Sequence, residues 1–122
     1  REYVQETPDF INTIGKISLM QSAALIANSE CVVSNDSAPL HIAAAVSTPV
    51  VALFCATIPE FGFTPWMVPH RIVEKKGMPC RPCGAHGGMS CPLGTNACQK
   101  DILPGDVVME MQELYHELSM SF

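Results

Sequence analysis

An α/β fold is predicted: a Rossmann-like parallel sheet with flanking helices. Two apolar runs, Cys31 to Ser34 and Pro49 to Phe54, have no polar alternation and read as strands buried on both faces. Between them lies a helix-length stretch opened by Pro39, long enough to return the chain parallel to its start. The 122 residues, 48% hydrophobic and 16% charged, suit one globular domain with its own core.

The elements follow in order. Asp9 to Lys16 reads as a connection, with Pro8 ahead of it and Gly15 near its end. Ser18 and Gln21 match a capping box, so a helix is predicted over 18–28, with Leu19, Ala23, Ile26 and Ala27 at helical spacing. The first strand follows at 31–34 and a second helix over 37–46, whose Pro39 falls where a missing N–H costs little. After the strand at 49–54, residues 56–70 form a long loop carrying four prolines or glycines and Phe61, Phe63 and Trp66, expected to cover a bound ligand or contact a further domain or, on the plainer reading, to pack onto their own domain. A third strand is predicted over 71–74, with Lys75 and Lys76 at its solvated end. Pro104 opens a last helix whose Val107, Met111, Leu114 and Leu118 make one apolar stripe. Its acidic side carries Glu110, Glu113 and Glu117.

Several function classes are disfavoured. The formal charge of −5 argues against a nucleic-acid footprint, and no basic run contradicts it. The longest apolar stretch, 49–56, falls far short of the roughly 20 residues of a membrane-spanning helix. Residues 1–6 lack the apolar core of a leader peptide, which points to a soluble compartment with peripheral membrane contact still open. Cys31 and Cys55, inside apolar runs, are expected to behave as small core hydrophobes.

The turn Val33-Ser34-Asn35-Asp36-Ser37-Ala38-Pro39-Leu40-His41 joins a strand to a helix. In open α/β sheets ligands sit at the carboxyl ends of strands, against helix N-termini. N–H groups at Ser37, Ala38 and Leu40 can receive a phosphate there, assisted by the helix dipole. Asp36 would repel phosphate and suits sugar hydroxyls instead. The plainer reading makes Asp36 or Ser37 an N-cap and His41 a satisfied core histidine.

Cys80, Cys83, Cys91 and Cys98 cluster in a Gly- and Pro-rich insertion at about 77–100. Four thiolates are what a structural zinc site uses, with ligand spacing in the first pair and a wider second pair. His86 can replace one ligand, and the same thiolates suit an iron–sulfur cluster less well. A metal-free loop of reduced cysteines is the equal alternative. Cys80-Arg-Pro-Cys83 also has redox-pair spacing, with Arg81 placed to favour a thiolate.

Several motifs resemble the heptosyltransferase family of lipopolysaccharide synthesis. Gly15-Lys16-Ile17-Ser18-Leu19 is similar to its Gly-Lys-x-Ser-Leu entry, and Asp36-Ser37-Ala38-Pro39-Leu40-His41-Ile42-Ala43-Ala44 to its Asp-(Ser/Thr)-Gly-x-x-His-x-Ala-Ala signature. Thr57-Ile58-Pro59 matches a Thr-x-Pro loop, and Cys80-Arg-Pro-Cys83 and Cys91-Pro-Leu-Gly94 resemble that family's cysteine-rich segment. The likeness runs collinearly over about 11–118.

The resemblance implies that residues 1–122 are a single, partial Rossmann-like donor-binding domain, the C-terminal half of a two-domain GT-B-type glycosyltransferase. It implies ADP-heptose or a related nucleotide sugar as donor, transfer to a lipopolysaccharide core acceptor held by an N-terminal domain, and no cofactor for transfer beyond any structural zinc. Ser37, Ala38 and the backbone of Pro39 and Leu40 would hold the diphosphate. Asp36 would face the heptose, Lys16 and Ile17 would border the adenine, and His41 would support the turn or touch phosphate. Thr57 joins this donor-binding set. The catalytic base is expected on the N-terminal domain, so this chain alone would bind without turning over. The implied location is the cytoplasmic face of a Gram-negative inner membrane. Two positions depart from the pattern: Ala38 replaces a glycine, and Cys55-Ala56-Thr57 stands where Gly-Pro-Thr is common. The rival reading is a metal-stapled, non-catalytic α/β interaction module. Another nucleotide-sugar enzyme of the same architecture differs only in ligand.

Overall fold

A computed structural model describes residues 9–120. The expectation for residues 1–6 falls outside them. Helix α1 (Leu19–Ala27) leads to strand β1 (Val32–Asn35), helix α2 (Ala38–Ala45) and strand β2 (Val50–Phe54). A 3₁₀ turn (Pro59–Phe61) precedes strand β3 (His70–Glu74), a short helix α3 (Ala97–Lys100) and the long helix α4 (Pro104–Met120). Each predicted strand and major helix is present within a residue or two. The 3₁₀ turn and α3 were not predicted.

The three strands form a parallel sheet in the order β1-β2-β3, with Val33 opposite Val51 and Val51 opposite Arg71. β2, at the centre, is buried along nearly its whole length, as its unbroken apolar run requires. Leu40, Ala43, Val50, Ala52, Phe54 and Val68 form the core on one face, where α2 packs and Ile26 of α1 adds to it. Val51, Val73 and Leu114 form the core on the other, with Leu53, Val107 and Leu118 against them. The result is a three-layer α/β arrangement with α1 and α2 on one side and α4 on the other.

Local chemistry explains the boundaries. The Ser18 hydroxyl accepts from the Gln21 N–H at 3.3 Å, and the Gln21 side chain accepts from the Ser18 N–H at 2.8 Å. That is the predicted capping box, and each half satisfies an N–H that the helix cannot. Leu19 is nevertheless largely exposed, because α1 rests on α2 at the margin of its layer and presents only Ile26 to the core. The buried Thr48 hydroxyl donates to the Ile26 carbonyl at 2.9 Å, tying the end of α1 to the turn before β2. On the other face Arg71 pairs with Glu110 and Glu117, fastening α4 along β3. Among the described residues no helix is long and apolar enough to cross a membrane.

Candidate functional site

The site begins where β1 and β2 end. The ladder runs one residue past β1, since the Asp36 N–H donates to the Leu53 carbonyl at 3.1 Å. That bond fixes the Asp36 backbone beside the end of β2 and sends its side chain towards the loop after β2. There the Thr57 hydroxyl donates to Asp36 Oδ2 at 2.7 Å, within the range of a charge-assisted bond. One carboxylate oxygen is thereby held while the other keeps its capacity to accept.

Ser37 occupies the N-cap position of α2 in extended conformation but makes no side-chain cap bond. Its hydroxyl donates instead to the Asn35 carbonyl at 3.2 Å and lies 3.4 Å from the Ser34 hydroxyl. The N-cap expectation for Ser37 therefore holds in position and not in its capping bond. The Leu40 N–H donates to the Ser37 carbonyl at 3.1 Å, so it is engaged, contrary to the expectation that it receives phosphate. The Ala38 N–H, first in the helix, has no carbonyl a turn earlier within α2 to bond. Leu40 is fully buried in the core, whereas Ser37, Ala38, Pro39 and His41 lie at the surface. His41 is thus no core histidine.

Beside this turn a cavity of about 500 Å³ opens at the carboxyl ends of β1 and β2. Asn35, Asp36 and Thr57 contribute to it from the strand ends, and Gln99, Ile102 and Val107 from the region of α3 and α4. The cysteine-rich segment supplies His86, Gly87 and Gly88. Asp36 and Thr57, both in the expected donor-binding set, are brought together. Ser37 to His41 adjoin the cavity without lining it. Lys16 and Ile17, ahead of α1, do not line it either, and the Lys16 N–H closes a turn onto the Thr13 carbonyl at 3.0 Å.

The cysteine-rich segment departs most from expectation. Among the described residues no three His, Cys, Asp or Glu side chains gather as a metal ion requires, so the structure does not bring Cys80, Cys83, Cys91 and Cys98 together as the zinc reading, one of two equal expectations, asks. All six cysteines are free thiols. The Cys83 thiol donates to the Cys80 carbonyl, while Cys91 sulfur accepts from the Asn96 N–H at 3.4 Å. That bond, followed by backbone bonding near Leu93, lowers the Cys91 pKa. Burial raises those of Cys31 and Cys55, the second also through its neighbour Cys98. Cys55 is not a core residue but part of the cavity wall.

The Arg81 side chain anchors the segment. Arg81 is 5% exposed and reaches back into the sheet instead of toward the thiols. Its guanidinium donates to Glu74 at 3.0 Å and to the carbonyls of Phe54, Thr57 and Lys75 at 3.2, 2.8 and 2.6 Å. The Cys83 N–H adds a bond to the Ala56 carbonyl at 2.8 Å. In the long loop before β3 Trp66 is 77% exposed and Phe61 and Phe63 remain partly so, against the plainer expectation that they pack onto their own domain.

Sequence comparison agrees with this geometry. A family model described as glycosyltransferase family 9 (heptosyltransferase) matches residues 2–90. A lipooligosaccharide heptosyltransferase 2 of Haemophilus influenzae is 47% identical over 51 residues, 42% of this chain and 15% of that protein. A lipopolysaccharide heptosyltransferase 3 of Escherichia coli is 38% identical over 79 residues, 62% of this chain and 23% of that protein. A lipooligosaccharide heptosyltransferase 2 of Campylobacter jejuni is 30% identical over 104 residues, 84% of this chain and 31% of that protein. The chain thus spans less than a third of the length of these relatives. No solved structure gives a significant match. With its family match covering most of the residues, its parallel α/β layer and its Asp36-to-His41 turn at the strand ends, the chain belongs to glycosyltransferase family 9, the heptosyltransferases.

Proposed function

We propose that this chain is the donor-binding part of a two-domain, GT-B-type glycosyltransferase, taking a sugar from a nucleoside diphosphate and passing it to a lipopolysaccharide core acceptor. ADP-heptose is the donor we favour. The observation that carries this reading is the Asp36–Thr57 pair, set in a cavity at the carboxyl ends of parallel strands in a family 9 chain. Such a position is where α/β folds hold nucleotides.

In this reading Asp36 accepts a hydrogen bond from a sugar hydroxyl, its carboxylate oriented by Thr57. The leaving diphosphate lies against the N-terminus of α2, where the Ala38 N–H and the helix dipole oppose its growing charge. Ser37, Pro39 and His41 border it from the surface, and Lys16 and Ile17 meet the ligand beyond the cavity. A base from an N-terminal domain activates the acceptor hydroxyl. No cofactor takes part, and the work is done at the cytoplasmic face of the inner membrane.

An amide NMR titration of the ¹⁵N-labelled chain with ADP, UDP and GDP tests donor binding. Selective shifts at Asp36, Ala38 and Thr57 with ADP are expected. A flat response to all three nucleotides from a folded chain refutes binding by this chain.

A further inference from the structure

We propose that the cysteine-rich segment is a wall of the donor site, and that His86 contacts a phosphate oxygen of the bound nucleoside diphosphate. This rests on the donor-binding reading above and adds a residue that the family signature at 36–44 does not contain.

Three observations converge. First, Arg81 and the Cys83 N–H bind the segment to the carbonyls of Phe54, Ala56 and Thr57, the stretch that also carries the Asp36 partner. The segment's position is therefore set relative to the site itself. Second, Gly87 approaches so closely that a Cβ there would lie 3.3 Å from Cβ of Ala56, and its φ of +74° is one that a side chain disfavours. Glycine at this place lets the backbone press against the strand-end loop and carries His86 to the cavity. Third, the charges of the lining are sparse. Among the described residues of the lining Asp36 is the sole carboxylate, and His86 the sole side chain able to carry positive charge.

A nucleoside diphosphate sugar has an anionic end and a hydroxyl-rich end. In this lining the anionic part avoids Asp36 and reaches a ring N–H donor at His86. The sugar hydroxyls take Asp36. His86 is exposed, so its replacement should leave the fold intact.

The test measures ADP and adenosine affinity by calorimetry on the full natural polypeptide, for the parent protein and for H86A, H86Q and G87A. A charge-assisted hydrogen bond of ordinary strength predicts about a tenfold loss of ADP affinity in H86A. Adenosine, which lacks phosphate, should be affected less than twofold. H86Q, which keeps a donor, should recover part of the loss, and G87A, strained at its positive φ, should weaken ADP with a modestly lowered melting temperature. If the parent protein binds ADP but H86A and G87A stay within twofold, the wall assignment is overturned while donor binding stands. An equal loss for adenosine and ADP in H86A overturns the phosphate contact. A parent protein that binds no nucleoside diphosphate overturns the donor-binding reading and this inference together.

Discussion

Replacing Arg81 with methionine isolates the anchor of the cysteine-rich segment. Methionine keeps most of the apolar stem and removes the guanidinium. Lost with it are one ion pair to Glu74 and the donors to three backbone carbonyls. Glu74 is 12% exposed, so its carboxylate is left nearly buried without a partner. Breaking one side of a buried pair costs about 3–5 kcal/mol. The carbonyls lie at the sheet's end, where water can reach them once the loop lifts, which favours the lower figure of about 3 kcal/mol. For a domain of this size that is a fall of roughly 10 °C in melting temperature. The assay is a thermal melt, with hydrogen exchange at the Cys83 amide reporting whether the segment leaves before the sheet unfolds. R81M/E74Q should cost less than the sum of the single changes, because the second removes the charge that the first strands. A melt within 1 kcal/mol of the parent by the same conversion, with the Cys83 amide equally protected, refutes the anchor.

Three further outcomes are expected. Thr57→Val removes the donor to Asp36 and should weaken nucleotide-sugar affinity about fivefold, the effect of one hydrogen bond near 1 kcal/mol, as read by calorimetry. Leu114→Ala, at a side chain only 2% exposed between α4 and the sheet, should lower unfolding free energy by about 3 kcal/mol in urea melts. Alkylation near pH 7.5 followed by peptide mapping should modify Cys91 first, because its thiolate is stabilised by the Asn96 N–H, and Cys31 and Cys55 last. The raised pKa values of Cys31 and Cys55 mean that the folded state holds their protons more tightly than the unfolded state. Their contribution to stability is complete below the ordinary thiol range of about 8.5 and is lost as pH rises through the raised values, which urea melts at pH 8 and 10 should show.

The legible parts of this chain were those governed by local rules. Ser18 and Gln21 carry their own geometry, so α1 could be placed by inspection. The unbroken run 50–54 has no polar face to offer solvent, so it had to become a central strand. Asp36 and Thr57 stood in recognisable motifs, although their mutual bond spans 21 positions and required the fold. The cysteine-rich segment was illegible for the opposite reason. Thiol spacing invites a metal, yet where such a loop returns depends on partners remote in sequence, here the Phe54 carbonyl and Glu74. Arg81, read beside its thiols, works across 27 residues. His86 lay among glycines and gave no periodic or motif signal for a place in the cavity. Trp66 was legible only in part, since its size argues for burial on its own domain while it stands 77% exposed.

The anchor of that segment has a consequence for sequence drift. Arg81 grips mostly main-chain oxygen, which every residue type supplies, so the address of the segment is written in the path of the chain rather than in side chains. Substitutions at Phe54 or Lys75 leave those acceptors in place, and insertions beyond residue 88 do not reach them. One rooted arginine therefore lets the outer part of the segment vary in length and composition while His86 stays at the rim of the cavity. Loop diversity and site geometry are in this way uncoupled, and Glu74 is the one partner whose side chain must be kept.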